Sequence, residues 1–112
     1  MMGLYSSRGK KTLRPSLERM ELDRDFDVII DGGDVKNHKP HPEGVLKVLE
    51  TLKVEPAHSV MVGDTSADIE AGRSAGCAFT VGITHGLGTR ESLQLAGADH
   101  IVDSLKGILQ FF

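Results

Sequence analysis

Four side chains stand out as able to do chemistry together: Ser6, Lys39, Asp64 and Asp68. Asp64 comes straight after the apolar run Val60-Met61-Val62 and a glycine. An acid in that position is a poor core residue and a good ligand for a hard cation. Asp68 follows one helical turn later, and Thr65-x-x-Asp68 also reads as a capping box that opens a helix. Taken alone, Ser6 is a turn or cap residue and Lys39 a solvated loop charge. Taken together, a hydroxyl, an ammonium and paired carboxylates describe a site for a phosphate and Mg²⁺. The hydroxyl and ammonium bind phosphate oxygens, and the carboxylates hold the cation that bridges to them.

These groups need a frame that brings them to one place. Met1 to Tyr5 reads as a short buried strand ending in a polar loop. A helix is expected from Thr12, with Leu13, Leu17 and Met20 on one face. Asp25 to Ile30 reads as a second strand, rich in β-branched residues. Asp31-Gly32-Gly33-Asp34 is a loop, and the stretch around Lys39 is stiffened by Pro40 and Pro42. Pro42 suits the first position of a helix whose apolar face is Val45, Leu46, Val48, Leu49 and Leu52. The central strand, turn and helix follow, and Gly76 is placed to stop that helix. A strand is expected at 77–81 and a loop at 84–89. Thr89 then caps a helix carrying Leu93, Leu95 and Ala96. A last strand at 99–102 and a helix from Leu105 to Phe112 complete the pattern.

Strand and helix alternate throughout, which argues a parallel sheet with helices on both faces. Ligands in such folds bind at the carboxyl ends of the strands. Ser6, Lys39, Asp64 and Asp68 are therefore expected to converge at one sheet edge.

The chain has 112 residues, 39% hydrophobic and 26% charged, with a formal net charge of −3. That charge argues against nucleic acid as a partner. The single cysteine, Cys77, excludes an internal disulfide, fits a cytoplasmic location and reads as a small core residue. No apolar run is long enough for a membrane span, and the N-terminus is a poor signal peptide. His38 and His41 offer too few ligands for a structural zinc site. Gly86-x-Gly88 lacks the context of a dinucleotide loop and reads as a turn.

The same residues resemble the haloacid dehalogenase-like hydrolases, in particular the phosphoglycolate phosphatase and β-phosphoglucomutase-like branch. Gly3-Leu4-Tyr5-Ser6-Ser7-Arg8 resembles the second motif of that family. Asp34 through Lys39-Pro40-His41-Pro42-Glu43 resembles the third, and Val62-Gly63-Asp64-Thr65-Ser66-Ala67-Asp68 the fourth. The resemblance implies a Rossmann-like three-layer α/β sandwich and Mg²⁺-dependent hydrolysis of a small phosphorylated metabolite through an aspartyl-phosphate. Lys39 and Ser6 would act in catalysis, Ser6, Ser7 and Lys39 would bind the phosphate, and Asp64 and Asp68 would serve the metal. It runs essentially the whole length of the chain.

The first motif of the family, Asp-x-Asp-Gly-Thr, carries the nucleophile and the general acid/base, and the 112 residues do not contain it. Residues 1–112 are therefore expected to form the C-terminal part of such a core domain, without its first, central strand and its cap. The isolated chain is expected to be inactive. Two alternatives remain open: a non-catalytic phosphate- or metal-binding module, and one component of a complementing complex. The expected partners are then an N-terminal complementing segment or a second copy of the chain.

Overall fold

The computed structural model describes residues 2–6, 27–84 and 88–103. The helices expected from Thr12 and from Leu105 fall outside these ranges. The described strands form two parallel sheets rather than one. In the first, β1 (Gly3–Tyr5) pairs with β2 (Val28–Ile30), Leu4 opposite Ile29. In the second, β3 (Val60–Gly63) pairs with β4 (Phe79–Ile83), and β4 with β5 (His100–Val102).

Three α-helices connect and cover the described strands: α1 (Glu43–Leu52), α2 (Ser66–Ala75) and α3 (Arg90–Ala96). Helix α1 packs on β1 and β2 and also against α2, so it joins the first sheet to the helix that lies on the second. Val45 and Leu49 of α1 meet Ala71 and Ala75 of α2, with Tyr5, Met61, Val54 and Cys77 packed around them. The small residues of α2 make the close approach available. A Cβ on Gly72 would lie 2.6 Å from the Met61 side chain, so α2 sits directly on the sheet.

Most local signals act where the sequence places them. Thr65 and Asp68 form a complete capping box at the start of α2, and Gly76 ends that helix in the left-handed region. Thr89 caps α3 in the same manner, paired with Ser92. Leu93 is fully buried, whereas Leu95, two residues on, is 82% exposed. Neighbours two apart lie on opposite sides of a helix, so the two leucines cannot share a face.

Other details differ from expectation as well. Pro42 is the N-cap of α1 rather than its first residue. Leu46 is exposed rather than part of the apolar face. Strand β4 begins at Phe79, two residues later than Cys77. The backbone N–H of Cys77 is still used to close α2 on the Gly72 carbonyl, and that of Ala78 bonds Ser59, so pairing with β3 starts at Phe79. On the other side of β4, Asp99 clasps Thr80: its carboxylate accepts the Thr80 N–H at 2.8 Å and its own N–H reaches the Thr80 carbonyl at 2.9 Å.

Candidate active site at the carboxyl strand ends

Gly63 ends β3, and its missing side chain lets the Asp68 carboxyl group fold back onto the turn. A Cβ there would stand 2.2 Å from the Asp68 Cβ. Asp68 Oδ2 accepts the backbone N–H groups of Asp64 and Thr65, each at 3.1 Å. Its Oδ1 receives the Lys39 ammonium at 2.5 Å. Both side chains are largely buried, with 18% of Lys39 and 7% of Asp68 exposed. Burial opposes ionisation of Asp68, but the Lys39 ammonium and the Thr65 hydroxyl and N–H outweigh it. The carboxyl pKa therefore lies below its ordinary value.

The loop that delivers Lys39 is tied down at both ends. At its start, Asp31 and Asp34 exchange turn bonds: the Asp31 N–H reaches Asp34 Oδ2 at 2.9 Å, and the Asp34 N–H reaches the Asp31 carbonyl at 3.0 Å. Asp31 is buried and also accepts the Gly33 N–H. Further on, Glu43 in the first turn of α1 accepts the N–H groups of Lys36 at 2.7 Å and Asn37 at 3.3 Å. Those bonds, the Lys36 N–H first among them, hold the exposed Glu43 carboxyl below its usual pKa. The Lys39–Pro40 peptide is cis.

Lys39 has a second neighbour. Its Nζ lies 5.2 Å from the centre of the Tyr5 ring, at the end of β1. The ammonium thus stands between the end of one sheet and the first turn beyond the other. Ser6 follows Tyr5 at the same end of β1, its N–H bonded to the Ile30 carbonyl at 3.1 Å. Ser7 lies outside the described residues. Asp64 follows β3 directly, and its carbonyl accepts the Gly88 N–H at 2.8 Å. A Cβ on Gly88 would fall 2.2 Å from that carbonyl oxygen, so the loop after β4 presses against the Asp64 backbone.

The structure therefore joins Lys39 directly to Asp68, sets Asp64 on the same turn, and brings the end of β1 to Lys39. His41 has a structural task instead: its Nδ1 accepts the Glu43 N–H at 3.1 Å. Among the described residues no three His, Cys, Asp or Glu side chains gather as a metal cluster. Among the same residues, no helix is long and apolar enough to cross a membrane. Sequence reasoning missed two contributors, Tyr5 and Gly88. Tyr5 looked like any apolar strand residue. Gly88 carried the signal of a turn, but not of where that turn would touch.

As a donor set for Mg²⁺, the turn offers hard carboxylate oxygens. Asp68 accepts from Lys39 and from two N–H groups. A carboxylate has about four lone-pair sites, which leaves about one for a cation. Mg²⁺ commonly takes only one or two protein carboxylates beside waters and phosphate oxygens, and Asp64 with one lone pair of Asp68 fits that requirement.

Comparison with known proteins places the chain in a family. Residues 1–81 match the haloacid dehalogenase-like hydrolase family. Phosphoglycolate phosphatase of Salmonella paratyphi A is 38% identical over 108 residues, covering 96% of this chain and 42% of that protein. The enzyme of the same name from Escherichia coli is 36% identical over the same span. Among solved structures, a candidate β-phosphoglucomutase from Thermotoga maritima superposes with a TM-score of 0.88 at 35% identity, covering 97% of this chain and 51% of that one. A predicted phosphoglycolate phosphatase from Haemophilus somnus gives 0.90 at 27% identity, with coverage of 99% and 49%. The chain thus spans less than half the length of the curated relatives it matches. By its motifs, its α/β fold and these matches, the chain belongs to the haloacid dehalogenase-like hydrolase family.

Proposed function

We propose that this chain carries the charge-stabilising part of an Mg²⁺-dependent phosphomonoester hydrolase that acts on a small phosphorylated metabolite, as phosphoglycolate phosphatases do. The observation that carries the reading is the buried Lys39–Asp68 pair at 2.5 Å beside Asp64, at the carboxyl end of β3. In this reading Lys39 and the Ser6 hydroxyl, with Ser7, bind the phosphate oxygens. Asp64 holds the cation, and Asp68 supports it with its remaining lone pair while orienting Lys39. Bound Mg²⁺ would withdraw charge from the phosphoryl oxygens. Fixed positive charge of this kind is a major source of rate in phosphoryl transfer, provided that a nucleophile is positioned.

The residues of the chain do not supply that nucleophile. Ser6 is a weak attacker unless a base or a metal activates it. Asp64, as the cation ligand, would have its lone pairs engaged by the cation, which would make it a poor attacker. The proposed reaction therefore needs a carboxylate on another segment. The division of the described strands into two sheets supports such a complementing role. Among the described residues β1 pairs only with β2 and β3 only with β4, so each presents one unpaired edge. Unpaired edges accept a further strand readily.

The test is hydrolysis of p-nitrophenyl phosphate and phosphoglycolate with Mg²⁺, with Asp64→Asn as control. The chain alone is expected to match the control. Activity should appear on adding a segment that carries Asp-x-Asp-Gly-Thr, and only with Asp64 intact. Turnover by the chain alone well above the control would overturn the reading. A chain that binds phosphate but gains nothing from the added segment would instead be a binding module.

A further inference from the structure

Tyr5 packs against the core at the end of β1, and its ring is also built into the site. The ring lies over Gly44, in the first turn of α1. A Cβ on residue 44 would stand 2.3 Å from two of the ring carbons, so the ring occupies the space that the glycine leaves. The Lys39 ammonium lies 5.2 Å from the centre of the same ring. That is within the roughly 6 Å over which a cation is drawn to an aromatic face. The same ammonium is held by Asp68 Oδ1. Three elements thus meet at one cation: β1 through Tyr5, α2 through Asp68, and the loop before α1 through Lys39 itself.

The phenol oxygen is buried and makes no hydrogen bond with the described residues. The nearby Lys39 N–H acts on it without reaching hydrogen-bond geometry. A buried hydroxyl without a partner costs stability rather than adding it. Among the described residues, the site contacts of Tyr5 are made by its ring.

We infer that Tyr5 is a positioning residue of the phosphate site: its ring, seated on Gly44, fixes the Lys39 ammonium against Asp68. The inference deepens the proposed function and rests on the reading of Lys39 as the phosphate-binding cation. It assigns Gly44 a part as well, as the residue whose missing side chain leaves room for the ring.

The experiment is NMR of the lysine-labelled chain, in the wild type and in Tyr5→Phe, Tyr5→Leu and Gly44→Ala. The Lys39 Cε protons should carry an upfield ring-current shift in the wild type and in Tyr5→Phe. The shift should vanish in Tyr5→Leu and be displaced in Gly44→Ala. Gly44→Ala should also lower the melting temperature of the wild type, yet leave it unchanged or raise it in a Tyr5→Val background, where the ring that blocks the new methyl group is gone. Titration with inorganic phosphate and Mg²⁺ then adds a functional readout. Tyr5→Phe should bind within about twofold of wild type. Tyr5→Leu should bind between about twofold and thirtyfold more weakly, the range of a cation–ring contact. Tyr5→Phe behaving like Tyr5→Leu would overturn the inference, as would a wild-type Lys39 spectrum without a ring-current shift. Should Tyr5→Leu fail to fold, the Tyr5→Phe and Gly44→Ala spectra decide. Should the wild type bind no phosphate, the proposed function fails, while the ring-current and melting measurements still decide the position of the lysine.

Discussion

The two sheets of this molecule are built by different means. In the three-stranded sheet, the helices carry their own instructions: α2 and α3 each have a complete capping box, and each ends on a glycine with positive φ. The residues beneath them are closed off, with Ile69, Leu93 and Thr80 fully buried. In the two-stranded sheet, no residue of β1 or β2 is fully buried. Its helix α1 starts at Pro42 without a side-chain cap and ends on Lys53 in the left-handed region. Among the described residues, that half is tied to the rest of the molecule by α1 lying across onto α2 and by Lys39 reaching Asp68. The contrast teaches that the half bearing the Asp64 turn is encoded locally. The half bearing Ser6 depends on contacts with the rest of the molecule, and those contacts run through the candidate site.

The largest test of this contrast is a pair of truncations. Ile69→Ala should cost about 4 kcal/mol in urea unfolding, because a fully enclosed side chain leaves a cavity. Leu4→Ala, in the half-buried β1, should cost about 1 kcal/mol. Equal costs would mean that the two halves are equally well packed.

Next comes the tie between the halves. Asp68→Asn leaves Lys39 buried without its counter-charge and should cost about 3 kcal/mol. The pH dependence has a definite sign. The Asp68 carboxyl pKa is lowered in the folded state. Its stabilisation is therefore complete above the ordinary carboxylate value near 4 and is lost as pH falls through the lower, folded value. Wild-type stability should fall steeply below about pH 4, and the Asp68→Asn profile should be flatter there. Some slope remains in the variant, because the Glu43 pKa is lowered too. An unchanged acid limb in Asp68→Asn would show that Lys39 does not depend on this partner.

The smallest effect sharpens the local side of the comparison. Thr65→Ala should cost about 1 kcal/mol, the usual loss of an N-cap. It should raise hydrogen exchange in the first turn of α2 while leaving α1, which has no side-chain cap, unchanged. Equal loosening of α1 would mean that the two halves open as one unit.

Much of this was legible in the residues alone. The strand, turn and helix from Val60 to Gly76 could be read directly, because each signal acts within four or five residues. Thr65 meets Asp68 one turn away, and Gly76 relieves the strain of its own backbone. The Lys39-Pro-x-Pro and Gly-Asp-x-x-x-Asp stretches named the candidate groups through their resemblance to family motifs, since Lys39 taken alone reads as a solvated loop charge. Strand ends shifted by a residue or two, as at Phe79, because a boundary is set by which N–H groups the neighbouring helix still uses. What tertiary structure alone decided is who meets whom. That Asp68 takes Lys39 across 29 positions, that Tyr5 lies under that lysine, and that Gly88 presses on Asp64 are all contacts between elements. Spacing along the chain is silent on them, because closing the intervening loops depends on how α1 packs on the first sheet and against α2. The separation of those sheets is of the same kind. Each strand reads as a strand by its own residues, but its neighbour is chosen only when the whole chain has folded.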